Sequence, residues 1–240
     1  MIRIKTSLTM LFFLPLLLFF SCTARIDGTL SDDGAVELRL IASLEPRTAS
    51  LIVSLRSFMG GKQDMPVLDG QSISRSMAAS PGVKAAALKN SSPIALEGTI
   101  SIANAGDFLV TGDSKSRFII YTQGRTAGNS SITFTLDRDS APELISRLSP
   151  EVEEYLSALM APIVLGETSS SQEYLALVSS VYGLPLANEI SAAGIKAYID
   201  FPRPVTEARG GKISGRRVEF DVPLLDILVL EKPLRYEVAW

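Results

Sequence analysis

The sequence predicts an α+β fold: a mainly antiparallel, curved β-sheet with a central helical block packed on it. Three observations carry this. Apolar and polar residues alternate in Ile94, Leu96, Ile100 and Ile102 against Ala95, Glu97, Thr99 and Ser101, and apolar residues recur at every second position in Ile195, Ala197, Ile199 and Phe201. That is the period of a strand with one buried face. Between the two stretches, residues 140–193 carry apolar spacings of three and four, headed by Ser140-x-x-Glu143 and Ser170-x-x-Glu173, the pattern of capped helices. No stretch is rich enough in Pro, Gly or charge to act as a linker, so the terminal strands are expected to complete the sheet begun near Arg25.

The elements follow in order. Residues 25–30 and 35–44 flank Ser31-Asp32-Asp33-Gly34, and Asp-Gly between extended runs favours a turn with positive φ, so the two runs form a hairpin. Pro46 suits a first helical position. After it Leu51, Ile52, Leu55, Phe58 and Met59 make an apolar stripe closed by Gly60-Gly61. A shorter helix over 70–79 places Ile73 and Met77 on one side, and Pro81-Gly82 ends it. From Val83 the period switches to two, and residues 117–122 and 132–136 form a further hairpin across a loop at 124–129.

The helical block opens at Ser140, before Leu144, Ile145 and Leu148, and restarts at Ser149-Pro150 with Val152, Tyr155, Leu156, Leu159 and Met160 on one face until Pro162. Ser170 caps a third stretch carrying Tyr174, Leu177, Val178 and Val181, ended by Gly183. Strands return at 195–201, at Val218, Phe220 and Val222, and at Leu234, Tyr236, Val238 and Trp240.

Ahead of all this stands an export signal. Arg3 and Lys5 precede a 13-residue run, Leu8 to Phe20, interrupted only by Thr9 and Pro15, and the one cysteine of the 240 residues follows at Ser21-Cys22. A bilayer-spanning helix needs roughly 20 apolar residues, whereas a secretory h-region needs about 7 to 15. Phe19-Phe20-Ser21-Cys22 resembles the lipidation box of bacterial lipoproteins, in the relaxed form of spirochaete lipoproteins. The resemblance implies a signal peptide over 1–21, acylation of Cys22, and a single ectodomain over 22–240 anchored to a membrane that faces the periplasm or the cell exterior. A buried structural cysteine fits less well, because Cys22 borders polar Thr23 and Arg25 outside any core pattern.

Composition limits the chemistry. Loss of Arg3 and Lys5 with the leader takes the basic residues from 23 to 21 against 26 acidic ones, and nucleic-acid binding leans on a clustered basic excess, so it is not expected. One cysteine excludes an internal disulfide. Histidine is absent, which removes Ser-His-Asp and Cys-His catalysis and His-based metal sites. No serine precedes a lysine by three, and no G-x-S-x-G elbow occurs. Asp32-Asp33 and Glu151, Glu153 and Glu154 read as turn and helix-start residues rather than catalytic pairs. The expectation is a protein without enzymatic activity, cofactor or metal.

Gly210-Gly211-Lys212-Ile213-Ser214-Gly215-Arg216-Arg217 invites comparison with a phosphate loop, but Gly215 is followed by arginines and a strand, so it lacks the G-K-[ST] step into a helix. Arg203, Arg209, Lys212, Arg216 and Arg217 nevertheless gather five positive charges. They suit either anionic headgroups, at about 1 kcal/mol each, or an edge strand kept soluble by charge, which is the favoured reading. Leu156, Leu159, Met160, Ile163, Val164 and Leu165 are aliphatic and flexible, as in lipid-holding cavities, but core packing explains them more simply. Tyr155, Tyr174, Tyr182 and Trp240 are ordinary as core or rim residues.

The candidate lipidated Cys22, the opening Arg25-Ile26-Asp27-Gly28 through Asp33-Gly34, the middle helices, Val218-Glu219-Phe220-Asp221-Val222-Pro223-Leu224 and the terminal Tyr236-Glu237-Val238-Ala239-Trp240 together resemble the LppM-type bacterial lipoproteins. The resemblance implies an α+β ectodomain that binds a lipid or another apolar ligand. The alternative is a scaffolding lipoprotein that binds other envelope proteins. Neither names a ligand-binding residue.

Overall fold

The computed structural model describes residues 23–58, 66–107, 118–124, 129–145, 159–160 and 166–240. Cys22, the leader before it, Gly60-Gly61, and the helix expected after Ser149 up to Ala158 lie outside the described residues.

The fold is α+β, with mainly antiparallel strands. The first hairpin forms as expected: β1 (Thr23–Leu30) and β2 (Val36–Ser43) pair antiparallel from Thr23↔Ser43 to Leu30↔Val36. Gly34 turns at φ 86°, a conformation that glycine adopts without a steric penalty. Helix α1 (Pro46–Phe58) follows with Pro46 at its first position. Its expected stripe is divided: Ile52 joins Ala49 and Val67 in one cluster, whereas Leu51 packs against another.

Helix α2 (Gly70–Ala78) is capped by the Asp69 carboxylate, which accepts from the backbone N–H of Gln71 and Ser72. Its Ile73 and Met77 lie against β3 (Val83–Ser92) and β4 (Ala95–Ile102), on Leu88, Leu96 and Ile100. Ile94 sits in the turn between these strands and packs with the α1 cluster instead.

Two sheets form where the sequence predicted one, and this is the main correction. Strands β5 (Ile119–Thr122) and β6 (Ser131–Leu136) do not join the first sheet, nor does the last strand, β11 (Leu234–Ala239). They form a four-stranded sheet with β8 (Glu207–Arg209), in the order β5-β6-β11-β8. The larger sheet has seven strands, β3-β4-β2-β1-β7-β10-β9, built with β7 (Gly194–Asp200), β9 (Gly211–Ser214) and β10 (Arg217–Pro223). Alternation reveals which residues of a strand face inward, but not which sheet it enters. The chain steps from β8 in the small sheet to β9 in the large one across Gly210 at φ 78°. A Cβ there would approach Tyr236 to 2.7 Å.

Four more helices gather at one end of the large sheet: α3 (Ala141–Ile145), α4 (Ser171–Tyr182), α5 (Leu184–Ala192) and α6 (Leu224–Val229). β1 and β7 are parallel, Thr23 beside Gly194, and β10 ends at Pro223 beside Gly194. The start of β1, the end of α5 and the start of α6 therefore share that end. Ser170 and Glu173 make the capping box expected of them. Ser140 works differently: its N–H and hydroxyl both donate to Asp137 Oδ1, at 2.8 and 2.7 Å, so Asp137 heads α3. Within α4, Tyr174 and Val178 are buried but Leu177 and Val181 face outward, contrary to the single stripe expected of the four.

Candidate functional site

The inner face of the large sheet is covered in two parts. Helix α2 covers the β3-β4-β2 side, and the small sheet stands over β1, β7 and β10. Because the second cover is a sheet carrying its own apolar face, two sets of side chains meet there without closing the space. They leave a cavity of about 510 Å³.

Ile26, Ile195, Ala197, Ile199, Phe220 and Val222 line the cavity from the large sheet; Ile132, Phe134, Leu234, Tyr236 and Val238 line it from the small one. Each set has period two in its strand, as the pleat requires. Two features keep the floor open. Ala197 is the short side chain between Ile26 and Phe220 in the register. Gly28 has none, so the Ile199 and Leu38 methyls occupy its place, within 2.6 and 2.8 Å of where a Cβ would stand.

The two ends are lined differently. Towards the helices, Leu144 of α3 and Ile227 of α6 reach the lining. At the far end Phe201 and Leu30 lie under Trp240, which is 1% exposed and exchanges backbone hydrogen bonds with Ser130. Tyr121 stacks on Trp240 at 6.2 Å.

Tyr236 brings the one hydroxyl of this lining. Its ring meets Phe220 of the opposite sheet edge to face, at 5.6 Å and 87°, a favourable geometry for two aromatic quadrupoles. Burial pushes its phenol above the ordinary value, and Asp226 and Asp221 add to the shift. It stays neutral at physiological pH and can donate one hydrogen bond. Nothing else in the lining can do acid–base work.

The residues singled out from the sequence fall elsewhere. Of the aliphatic set, Met160 is buried in the helical cluster and Leu159 packs on it, away from the cavity; Leu156, Ile163, Val164 and Leu165 lie outside the described residues. Tyr174 is core: its hydroxyl donates to the Leu159 carbonyl at 2.9 Å, and burial pushes its pKa up to about 12. Cys22 and Tyr155 lie outside the described residues.

The basic segment is at the sheet end farther from Thr23. Arg203 pairs with Asp32 and Arg217 with Asp200, while Arg216 donates to the Pro202 carbonyl. Lys212 is on β9, an edge of the large sheet, where charge hinders strand-to-strand association. Of the five charges, Arg203 and Arg217 are in ion pairs, Arg216 is held at a backbone carbonyl, and Lys212 and Arg209 lie on edge strands of the large and the small sheet.

The cavity escaped sequence reasoning, although most of its lining had been assigned to strand faces. The missing step was the division into two sheets. A signal existed in Gly210-Gly211, where the chain passes from β8 to β9.

Among the described residues no helix is long and apolar enough to cross a membrane, and no group of acidic or cysteine side chains is placed to hold a metal ion. No protein-family profile matches the chain, and no curated protein matches it. Among solved structures, it resembles the folded domain of the Mycobacterium tuberculosis LppM protein, determined by NMR, with a TM-score of 0.35 and 14% identity over 92% of this chain and 91% of that one. The likeness is weak.

Proposed function

We propose that this domain holds one apolar molecule, a lipid chain, between its two sheets, and that it does so as a non-enzymatic lipoprotein of the cell envelope, anchored through acylated Cys22. The cavity is the observation that carries the reading. Its volume of about 510 Å³ lies within the roughly 300–1,000 Å³ of small-molecule sites, and its lining of aliphatic and aromatic side chains with one hydroxyl suits a chain with few polar atoms.

The non-enzymatic part rests on the residue inventory: no histidine, one cysteine, and a site whose sole ionisable group is a phenol held neutral. The test is mass spectrometry of lipid retained by the full-length protein extracted from membranes, beside Ala197→Phe, which places a ring in the cavity. Wild type should retain a lipid and the variant should lose most of it while melting no lower. Equal retention by both proteins, or none by wild type, would overturn the reading and favour a scaffold with an idle cavity.

A further inference from the structure

The corner between α4 and α5 presents an apolar surface that neither the cavity nor the core uses. Leu177, Val181, Tyr182 and Leu184 are 55, 60, 51 and 62% exposed. Leu177, Val181 and Tyr182 are the exposed large apolar residues of α4, and Leu184 opens α5 directly after the break at Gly183. Residues 174–188 contain no charged side chain, which is unusual for so exposed a helical pair. Large exposed apolar patches mark contact surfaces.

What covers this one follows from where the chain enters the fold. Residue 22 directly precedes Thr23, and Thr23 pairs with Gly194, two residues beyond the end of α5. Helix α5 has nine residues, so the corner stands within about 13 Å of that end at 1.5 Å per residue. Both outer ends of the helical pair are tied to α6 and the turn after it: the Ser171 N–H donates to Glu231, and the Ala193 carbonyl accepts from Leu224. The free part is the corner. β1 then runs eight residues in the other direction, carrying the basic segment and Trp240 about 23 Å from the entry point.

The 13-residue apolar run and Cys22 lie immediately outside the described residues at this end. Acylated or uncleaved, this segment brings a bilayer to the same end of the molecule. We propose that the α4–α5 corner is seated in the headgroup and upper acyl region of the phospholipid leaflet that anchors the chain. Leu177, Val181 and Leu184 enter the apolar layer and Tyr182 sits at its boundary, as amphipathic rings do. The tether supplies the high local concentration that lets four side chains suffice. The docking depends on anchoring at residue 22 and is independent of any cavity occupant.

The test is Leu184→Trp in the full chain, reconstituted in phosphatidylethanolamine and phosphatidylglycerol vesicles in which part of the lipid carries brominated acyl chains. Trp240 is the native tryptophan, buried at the far end, so wild type provides the background. Bromolipid should quench most of the added emission and leave the wild-type emission unchanged. Vesicle flotation of the same samples reports the anchor separately. Protein that floats while its new tryptophan is unquenched and red-emitting overturns the docking alone. Blue emission without quenching means that a second copy or another protein covers the corner, which overturns it equally. Failure to float removes the anchor and the docking with it, whatever lipid the cavity retains.

Discussion

The Phe201 and Trp240 rings meet at 4.9 Å, inclined by 43°, and this contact joins the end of a large-sheet strand to the end of a small-sheet strand. It lies at the far end of the cavity, where Trp240 also stacks on Tyr121. Trp240→Ala should lower stability by about 3–5 kcal/mol, the usual cost of removing a buried aromatic. Thermal melting measures it, and lipid retained by the variant should be less well defined in chain length because the cavity then runs on. A change below about 1 kcal/mol would show that the sheets are held together elsewhere.

Two glycines of the large sheet should respond oppositely to alanine. At Gly28 the new methyl meets the ends of the Ile199 and Leu38 side chains, which can swing into the cavity. At Gly98 it meets the Ala87 carbonyl oxygen at 2.0 Å, so backbone must move. Gly98→Ala should cost about 1–3 kcal/mol by denaturant unfolding, and Gly28→Ala clearly less. Gly28→Ala should reduce lipid retention instead. Equal destabilisation would mean that Ile199 and Leu38 have no free space beside them.

The cap of α3 is expected to be pH-dependent. The Ser140 hydroxyl and then its N–H donate to the Asp137 carboxylate and hold its pKa below the ordinary 3.8. A depressed carboxylate contributes its stabilisation fully above the unfolded value and loses it as pH falls through the lower folded value. Ser140→Ala should therefore raise the Asp137 pKa, followed by carboxyl NMR, and narrow the acid range over which the domain resists unfolding. An unchanged titration would exclude the hydroxyl as the cause.

Element identity was legible in the sequence, because it is local. Asp33-Gly34, Pro46 and the Ser170–Glu173 box each act within a few residues, and each acts as its chemistry requires. Partner choice was not legible. Val238 and Val218 have the same alternation, yet β11 pairs with β6 and β10 with β7. The choice between sheets is made by contacts between distant segments, to which a period is blind. The same limit applies to Leu177: three- and four-residue spacing made it core beside Tyr174, but no second layer of described residues covers that side of α4. The cavity was illegible for a further reason, since it is a property of the gap between two faces.

The parallel pairing of Thr23 with Gly194 has a consequence for biogenesis. β1 is the middle strand of seven and the first strand made, and one of its edges waits for β7, which follows the helical block. Until β7 arrives, β1 to β4 can form only a four-stranded sheet with unpaired N–H and C=O groups along its β1 edge. Such edges recruit other chains. The rate at which the chain emerges should therefore govern yield more than intrinsic stability does, and variants that slow emergence of residues 194–200 should aggregate even when their mature fold is intact.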